Sequence, residues 1–343
     1  MQPFDLTKIR TYSLHERPSK VMVSDLGVPI APNCTIANWI DNLPKQLAAV
    51  ELRKVRDYVV ERYKAGKLIA VALGGHVIKT GCGPYLIDLI ERGIIHAVAM
   101  NGSAAIHDFE LAYAGKTSED VGAQLAKGDF GMARETAEIF AQAAQYAASY
   151  HCGFGHALGW HINSVWKCPY TQHSLLATAY RCQIPCTVHV AIGTDIVHMH
   201  PQIDGATLGT AAVTDFHILC TVVSQLEGGV WFNIGSAVIM PEVFLKAVAV
   251  AKNCGYELNN LVTVNFDKES KYRTAMNVLR RPGSEGIEII GHHEILIPLW
   301  HASILANLMM ATSYDKSINE SEEKTSEKNS CIKNIKDQKR SAA

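Results

Sequence analysis

The stretch "KLIAVALGGHVIKTGCGPYLIDLIERGIIHAVAMNGSAAIHD", residues 67–108, carries two apolar runs separated by a helical pattern. The first run, "KLIAVAL" (67–73), is aliphatic and ends at a glycine pair, which predicts a buried strand. "GPYLIDLIERG" (83–93) has Pro84 in its first turn and groups its apolar residues with helical spacing, so it predicts a helix. "IIHAVAM" (94–100) predicts a second strand. A strand, a helix and a strand in this order indicate a parallel βαβ unit.

The same alternation continues to about residue 310. Further strands are predicted at "CTVHVAI" (186–192), "GVWFNI" (229–234), "LVTVNF" (261–266) and 287–290, and helices at 210–227 and 241–254. Continuous apolar strands separated by helices predict an α/β fold with a doubly wound, mostly parallel, Rossmann-like sheet. The Ala-rich segment 130–180 is predicted to be an inserted helical layer on the same core.

Two further predictions concern the organisation of the chain. Residues 1–311 are predicted to form a single domain. Residues 312–343 are charged, serine-rich and poor in apolar groups, which is typical of a disordered tail because too little apolar surface can be buried.

The composition excludes several classes of protein. The 343 residues carry a net charge of -1, so electrostatics gives no reason to expect nucleic acid or an anionic membrane surface as a partner. The apolar runs reach about 8 to 10 residues, fewer than the roughly 20 that span a bilayer. The nine cysteines are irregularly spaced without a CxxC pair, which favours buried apolar roles over disulfides or zinc. We therefore predict a cytoplasmic protein without a membrane segment.

The turns after the predicted strands are rich in small residues, histidines and acids. Ligands of open parallel sheets bind beyond the carboxyl ends of the strands, where these turns meet. Several such turns on one edge suit an extended dinucleotide, with Asp204 or Asp108 accepting hydrogen bonds from ribose hydroxyls. Ordinary tight βα turns have a similar composition, and neither a full G-x-G-x-x-G nor a P-loop motif is present. The turns are "GGHVIKTG" (74–81), "NGSAAIHD" (101–108), "GTDIVHMHPQIDGATLG" (193–209), "GSAV" (235–238), "DKESK" (267–271) and "GHHE" (291–294).

The histidines fall into groups at 151–161, 198–200 and 292–293. Together with carboxylates, such groups can hold a transition metal, which leaves a metal-dependent hydrolase as one alternative. No H-E-x-x-H motif occurs, and we predict no metal ligand.

Residues 74–112 resemble the cofactor-binding βαβ segment of deoxyhypusine synthases. "IDGATLG" (203–209) resembles the Asp-Gly-Ser-Leu-Gly loop of that family, and "FNIGSAVIMPEVFLKAVAVAKN" (232–253) its glycine-rich strand, turn and helix. "RRPG" (280–283) and "HHEILIPLWHASIL" (292–305) follow in the same order. The resemblance, over roughly residues 25 to 310, implies a Rossmann-like fold in homotetramers with NAD bound near subunit interfaces. It implies enzymes that take a hydride from spermidine and pass its aminobutyl group, through an active-site lysine, to a lysine of a translation factor.

The resemblance also implies site residues, position by position. Apart from the resemblance, a reaction on an amine makes His200, His293 and Glu294 candidate proton carriers or ammonium-binding groups. The implied NAD contacts are Gly75, His76, Thr80, Asn101, Gly102, Ser103, His107, Asp204, Gly235, Ser236 and His292.

The sequence departs from the family at its covalent lysine. The span 283–291, where that lysine belongs, holds neither Lys nor Trp, and no other residue in it can form an imine. Lys79, in a cofactor-side turn, is the remaining candidate amine. We therefore predict an NAD-dependent transferase that acts on a polyamine or related amine, as a homo-oligomer, without making deoxyhypusine. The alternatives are a non-catalytic NAD-binding scaffold or partner subunit, and the metal-dependent hydrolase.

Overall fold

The computed structural model describes residues 1–309, and its centre is a sheet of six parallel strands in the order β3-β2-β1-β4-β5-β6. This is the strand order of a doubly wound dinucleotide-binding sheet. The predicted α/β, Rossmann-like fold is confirmed. The strands are β1 (Ile69–Leu73), β2 (Ala97–Asn101), β3 (Cys186–His189), β4 (Val230–Ile234), β5 (Val262–Asp267) and β6 (Glu285–Ile290).

Helices cover both faces of the sheet. They are α1 (Ile36–Asp41), α2 (Leu47–Lys64), α3 (Gly75–Lys79), α4 (Gly83–Glu91), α5 (Gly102–Ala114), α6 (Val121–Leu125), α7 (Arg134–Tyr150), α8 (Phe154–Trp160), α9 (Leu175–Arg181), α10 (Gly205–Ser224), α11 (Ile239–Asn253) and α12 (293–309). Two π-helices, His161–Val165 and Thr274–Arg280, complete the longer elements. Short 3-10 turns lie at Leu6–Lys8, Leu14–Glu16, Val23–Asp25, Thr171–His173 and Ile196–Met199.

Alternate residues of the strands enter two separate cores. Ile69, Val71 and Leu73 of β1 pack with α2, α4, α5 and α12, whereas Ala70 and Ala72 face α10 and α11. The small alanines let the second pair of helices approach the sheet closely. The two cores together cover both faces of the sheet.

The inserted helical layer predicted at 130–180 is present between β2 and β3 as α6 to α9. Two buried carboxylates tie it to the core. Asp108 of α5 accepts hydrogen bonds from Ser174 Oγ and from the backbone N–H of Leu175 at the start of α9. Because Asp108 is fully buried in these bonds, it is not available to a ribose, as the sequence had allowed.

Within residues 1–309 one helix, α10, is long and apolar enough by length and composition to cross a membrane, which the short apolar runs did not predict. Its Asp215 is fully buried and accepts hydrogen bonds from Val188 N at 2.6 Å and Gly155 N at 2.9 Å. The helix also packs along α7 and α11. These contacts pack one face of α10 against the rest of the fold, and 33% of its apolar window is buried.

Two other expectations concern the cysteines and the C-terminal segment. The eight cysteines in the described residues are all free, and Cys82, Cys168 and Cys186 are buried. Cys152, Cys182 and Cys220 are partly buried against the two cores, so fewer cysteines are fully buried than expected, although six of the eight contact a core. The tail predicted at 312–343, with its boundary at 311, lies outside the described residues.

Candidate functional site

The strand order reverses between β1 and β4, and doubly wound sheets place their ligand crevice beyond the carboxyl ends of the two strands at such a point. Leu73 pairs with Ile234 at the last register position, and Gly74 and Gly235 follow. A Cβ atom on Gly74 would lie 2.0 Å from the carbonyl oxygen of Gly235. Gly235 itself has a φ of +64°, which favours glycine. The two turns therefore need glycine in order to meet.

The turn after β2 joins the same crevice. A Cβ on Gly75 would lie 2.3 Å from Ser103 Oγ, and one on Gly102 would lie 2.3 Å from Asp195 Oδ2. The structure thus brings together Gly75, Gly102 and Ser103, as predicted, and adds Asp195 from the loop after β3. The glycines serve contacts between the turns, rather than leaving bare backbone for a ligand.

Free donors remain at this crevice. Among residues 1–309, no hydrogen-bond partner is found for the backbone N–H groups of Gly75 and His76, at the start of α3. The buried Ser236 is engaged, since its hydroxyl accepts from Met240 N at 3.2 Å.

His76 and His293 form a pair beside the crevice. Their Nδ1 atoms are 3.0 Å apart, and His293 Nε2 lies 3.2 Å from the carbonyl oxygen of Phe266. Because a carbonyl only accepts, His293 carries its proton on Nε2 and accepts from the Nδ1–H of His76. His76 Nε2 is then an unprotonated acceptor. Burial, followed by the charges of His293, Lys268 and Lys79, lowers the pKa of His76, so its ring is neutral near pH 7.

A second histidine, His107, is tied to a carboxylate. His107 Nδ1 lies 2.7 Å from Thr117 Oγ1, and the Thr117 hydroxyl donates to Glu110 Oε2 at 2.5 Å. Thr136 donates to the other oxygen of Glu110 at 3.2 Å. Burial raises the pKa of Glu110, but the hydrogen bonds with His107, Thr117 and Thr136 and the charge of His107 outweigh burial, so the pKa lies below its usual value. Glu110 is therefore ionised at neutral pH.

A cavity of about 610 Å³ opens next to His107. Its walls are α5, the segment 116–121, the start of α7 and the loop after β3. Four carboxylates and two ammonium groups line it, so its net charge is negative. These charged residues are Lys79, Glu110, Lys116, Glu119, Glu135 and Asp195.

Several sequence-predicted residues lie in other contacts. His200 Nε2 is 2.8 Å from the carbonyl oxygen of Gly131 and does not line the cavity. Asp204 is exposed and caps the start of α10 by accepting from Thr207 N at 2.8 Å. Thr80 donates its hydroxyl to the carbonyl of His76 at the end of α3.

The remaining predicted residues are turn or surface groups. Asn101 caps α5 by accepting from Ala104 N at 2.9 Å. His292 and Glu294 are exposed at the start of α12, 3.7 Å apart.

Sequence reasoning missed three residues of the site: Asp195, Glu110 and Thr117. Glu110 follows His107 by three residues, a helical spacing that could have been noticed. Asp195 lies in the turn 193–209, where His200 and Asp204 were predicted as site residues instead. Thr117 had no local signal, since it reaches His107 from beyond the end of α5.

The histidine groups do not converge on a metal site. Within the part of the chain that the structure describes, no three His, Cys, Asp or Glu side chains are placed to hold one ion. His161 is buried 2.7 Å from the carbonyl oxygen of Ala157, and the ring of His156 packs against Tyr180.

No family model matches the chain, and no curated protein sequence matches it. The structure of AgrE in its ternary complex with ornithine and NAD+ is similar, with 15% sequence identity and a TM-score of 0.51. The similarity covers 74% of this chain and 32% of AgrE, so the chain spans about a third of that protein. At this identity the likeness shows the fold alone.

Two further solved structures are more distant in fold. A candidate LOR/SDH protein from Methanococcus maripaludis S2 has 18% identity and a TM-score of 0.47, over 76% of this chain and 70% of its own. A candidate deoxyhypusine synthase from Entamoeba histolytica has 10% identity and a TM-score of 0.48, over 82% and 96%.

Proposed function

We propose that this protein is an NAD-dependent enzyme that oxidises a small amine to an imine and transfers the resulting group to a second amine. The observation that carries the proposal is the reversal of strand order between β1 and β4, together with the cavity of about 610 Å³ beside the turns after β1, β2 and β3. A sheet of this order binds dinucleotides at that point.

The crevice has groups suited to NAD. The backbone N–H groups of Gly75 and His76 would donate to a phosphate, and Asp195 would accept from a ribose hydroxyl. The contact of Asp195 with Gly102, directly after β2, supports this role, whereas Asp204 caps the start of α10. When bound, NAD would supply an acceptor for a hydride.

The cavity has charges suited to an amine. Its carboxylates outnumber its ammonium groups, and Glu119 is held in place by Gly131 N at 2.9 Å, so the cavity favours a cation. Lys79 is the amine of the chain that lines it. AgrE, which has this fold, is described with ornithine and NAD+, a pairing of cofactor and amine that agrees with the proposal.

The test measures binding and turnover separately on the full chain. Isothermal titration with NAD is expected to give a saturable signal, and NADH absorbance is expected to appear with at least one of spermidine, putrescine and ornithine. Absence of NAD binding would reject the proposal. NAD binding without NADH formation across the panel would favour the non-catalytic scaffold.

The matched variants are Asp195→Asn and Asp204→Asn. Losing a carboxylate that accepts ribose hydroxyls typically costs about 1–2 kcal/mol, so D195N is expected to weaken NAD binding by roughly tenfold. D204N is expected to leave NAD affinity unchanged, because Asp204 is exposed at the start of α10. The reverse pattern would return the ribose role to Asp204.

A further inference from the structure

We infer that His107 is the proton acceptor of this site and that Thr117 and Glu110 hold its ring in the tautomer this requires. The inference rests on the proposed function, because the proton comes from the ammonium group of the amine. The N–H bond of the ammonium breaks and its electron pair stays on the substrate nitrogen. The proton forms a new bond to His107 Nε2, which leaves a neutral amine and an imidazolium.

The tautomer follows from the chain of hydrogen bonds. Glu110 is ionised and can only accept, so the single hydroxyl proton of Thr117 points to Glu110. Thr117 Oγ1 must then accept from His107, whose Nδ1 carries the proton. In the neutral ring the lone pair is therefore on Nε2, which has no hydrogen-bond partner among residues 1–309.

The free edge of the ring faces the crevice. A Cβ on Gly75 would lie 3.2 Å from His107 Cδ2, the carbon bonded to Nε2. His107 also lines the cavity that the proposed function assigns to the amine. Other charged groups lining that cavity are Lys79, Lys116, Glu119, Glu135 and Asp195.

The electrostatics favour His107 over His76, which follows Gly75 in the chain. Glu110 Oε2 is 3.7 Å from His107 Nδ1 and stabilises the imidazolium that forms. Burial, the charge of His293 and two nearby lysines lower the pKa of His76, so a positive charge on His76 is disfavoured. Glu110 is itself fixed by Thr136, which is buried.

The first test needs no substrate. In the full chain with 15N-labelled histidine, NMR at neutral pH is expected to find His107 protonated on Nδ1. Thr117→Val removes the hydroxyl and is expected to populate the Nε2–H tautomer, whereas Thr117→Ser is expected to retain the Nδ1–H form. A wild-type ring protonated on Nε2, or a T117V ring that stays unchanged, would overturn the inference.

The second test is kinetic. General-base catalysis typically contributes about 10²- to 10⁴-fold, so His107→Asn is expected to lower kcat at least about 100-fold while NAD affinity stays within about twofold. T117V is expected to lower kcat about tenfold with an altered pH profile, and T117S to recover most of it. H76N is the comparison, with a fall in kcat of less than about tenfold.

Failure of the inference and failure of the proposed function give different results. If wild-type protein binds no NAD, the proposed function fails, and the tautomer measurement alone judges the hydrogen-bond chain. If NAD is reduced but H107N loses NAD affinity and keeps its kcat, His107 is a cofactor contact and the inference is wrong. His156→Asn, outside the site, controls for general damage to the fold.

Discussion

Asp215 is a carboxylic acid in the interior of the protein. It has no accessible surface, and both hydrogen bonds that reach Oδ2 come from backbone N–H groups. Its Oδ1 has no partner among residues 1–309. Burial outweighs these bonds and raises the pKa of Asp215 to about 7, so the folded protein favours the protonated acid over a wide range of pH.

The consequence for stability has a definite sign. In the unfolded chain Asp215 loses its proton near pH 4, but in the folded protein only near pH 7, so its contribution to stability falls as the pH rises between these values. Each pKa unit corresponds to about 1.4 kcal/mol, which makes the loss on the order of a few kcal/mol. The substitution Asp215→Asn should remove this loss of stability at higher pH. Urea unfolding is measured at pH 5 and pH 8, and the stability of D215N relative to wild type is expected to be greater at pH 8.

The comparison between D215N and wild type removes the effect of His189, whose titration changes stability in the opposite direction. Burial lowers the pKa of His189 to about 4, so that residue makes stability rise with pH in part of the same range. Because His189 is present in both proteins, only Asp215 contributes to the difference. An equal difference at both pH values would contradict the role given to Asp215.

At the scale of elements, the sequence predicted the strands well and their ends less well. The run 94–100 overlaps β2, but the strand begins only at Ala97 and ends at Asn101, because Ile94 and Ile95 are buried in the turn after α4. An apolar residue is buried equally in a strand or in a packed turn, so periodicity alone cannot separate them. The sequence did not predict the short helix α3 either, because its five residues lie within a glycine-rich turn and are too few to show a helical period.

The candidate site likewise has parts that the sequence could predict and parts that it could not. Turns after strands could be predicted, because parallel strands place their carboxyl ends on one edge and the chain order is visible in the sequence. The contact of Thr117 with His107 depends on how the segment after α5 folds back, and Asp195 depends on the path of the loop after β3. Neither loop path produces a periodic pattern in the local sequence, so the sequence could not predict these contacts.

Two glycine substitutions are expected to have opposite effects on stability, because Gly74 lies in the close contact between the β1 and β4 turns and Gly209 has free space around it. Gly74→Ala puts a methyl group within van der Waals overlap of the Gly235 backbone, which cannot move without disturbing β4, and is expected to destabilise by about 2–3 kcal/mol. Gly209→Ala lies within α10, where a Cβ meets no atom within 4 Å, and is expected to stabilise by about 0.5–1 kcal/mol. Denaturant unfolding measures both, and a neutral G74A would show that the turns are not in contact.

At the scale of the whole molecule, the first 35 residues lie almost entirely on the surface. Phe4 is 85% exposed, and Leu6, Ile9, Tyr12 and Val23 are exposed as well. Apolar side chains in such numbers are typical of a surface that another chain covers. We therefore expect the homo-oligomer that the sequence predicted.

Light scattering after size exclusion is expected to give about four times the 37.5 kDa mass of the chain. Replacing Phe4 and Leu6 by Asp should shift the population toward smaller species, because a charged residue is costly to bury in an interface. Exchange of Lys8 for Glu, on the same segment, controls for a change of charge alone. A monomeric wild type would contradict this expectation.

The inserted layer between β2 and β3 supplies one wall of the cavity, and the sheet turns supply the other. Under the proposed function, substitutions in residues 116–136 are therefore expected to alter which amine the cavity accepts while the turns proposed to bind NAD keep their geometry. Residues 116–136 are thus the place to begin a directed-evolution library.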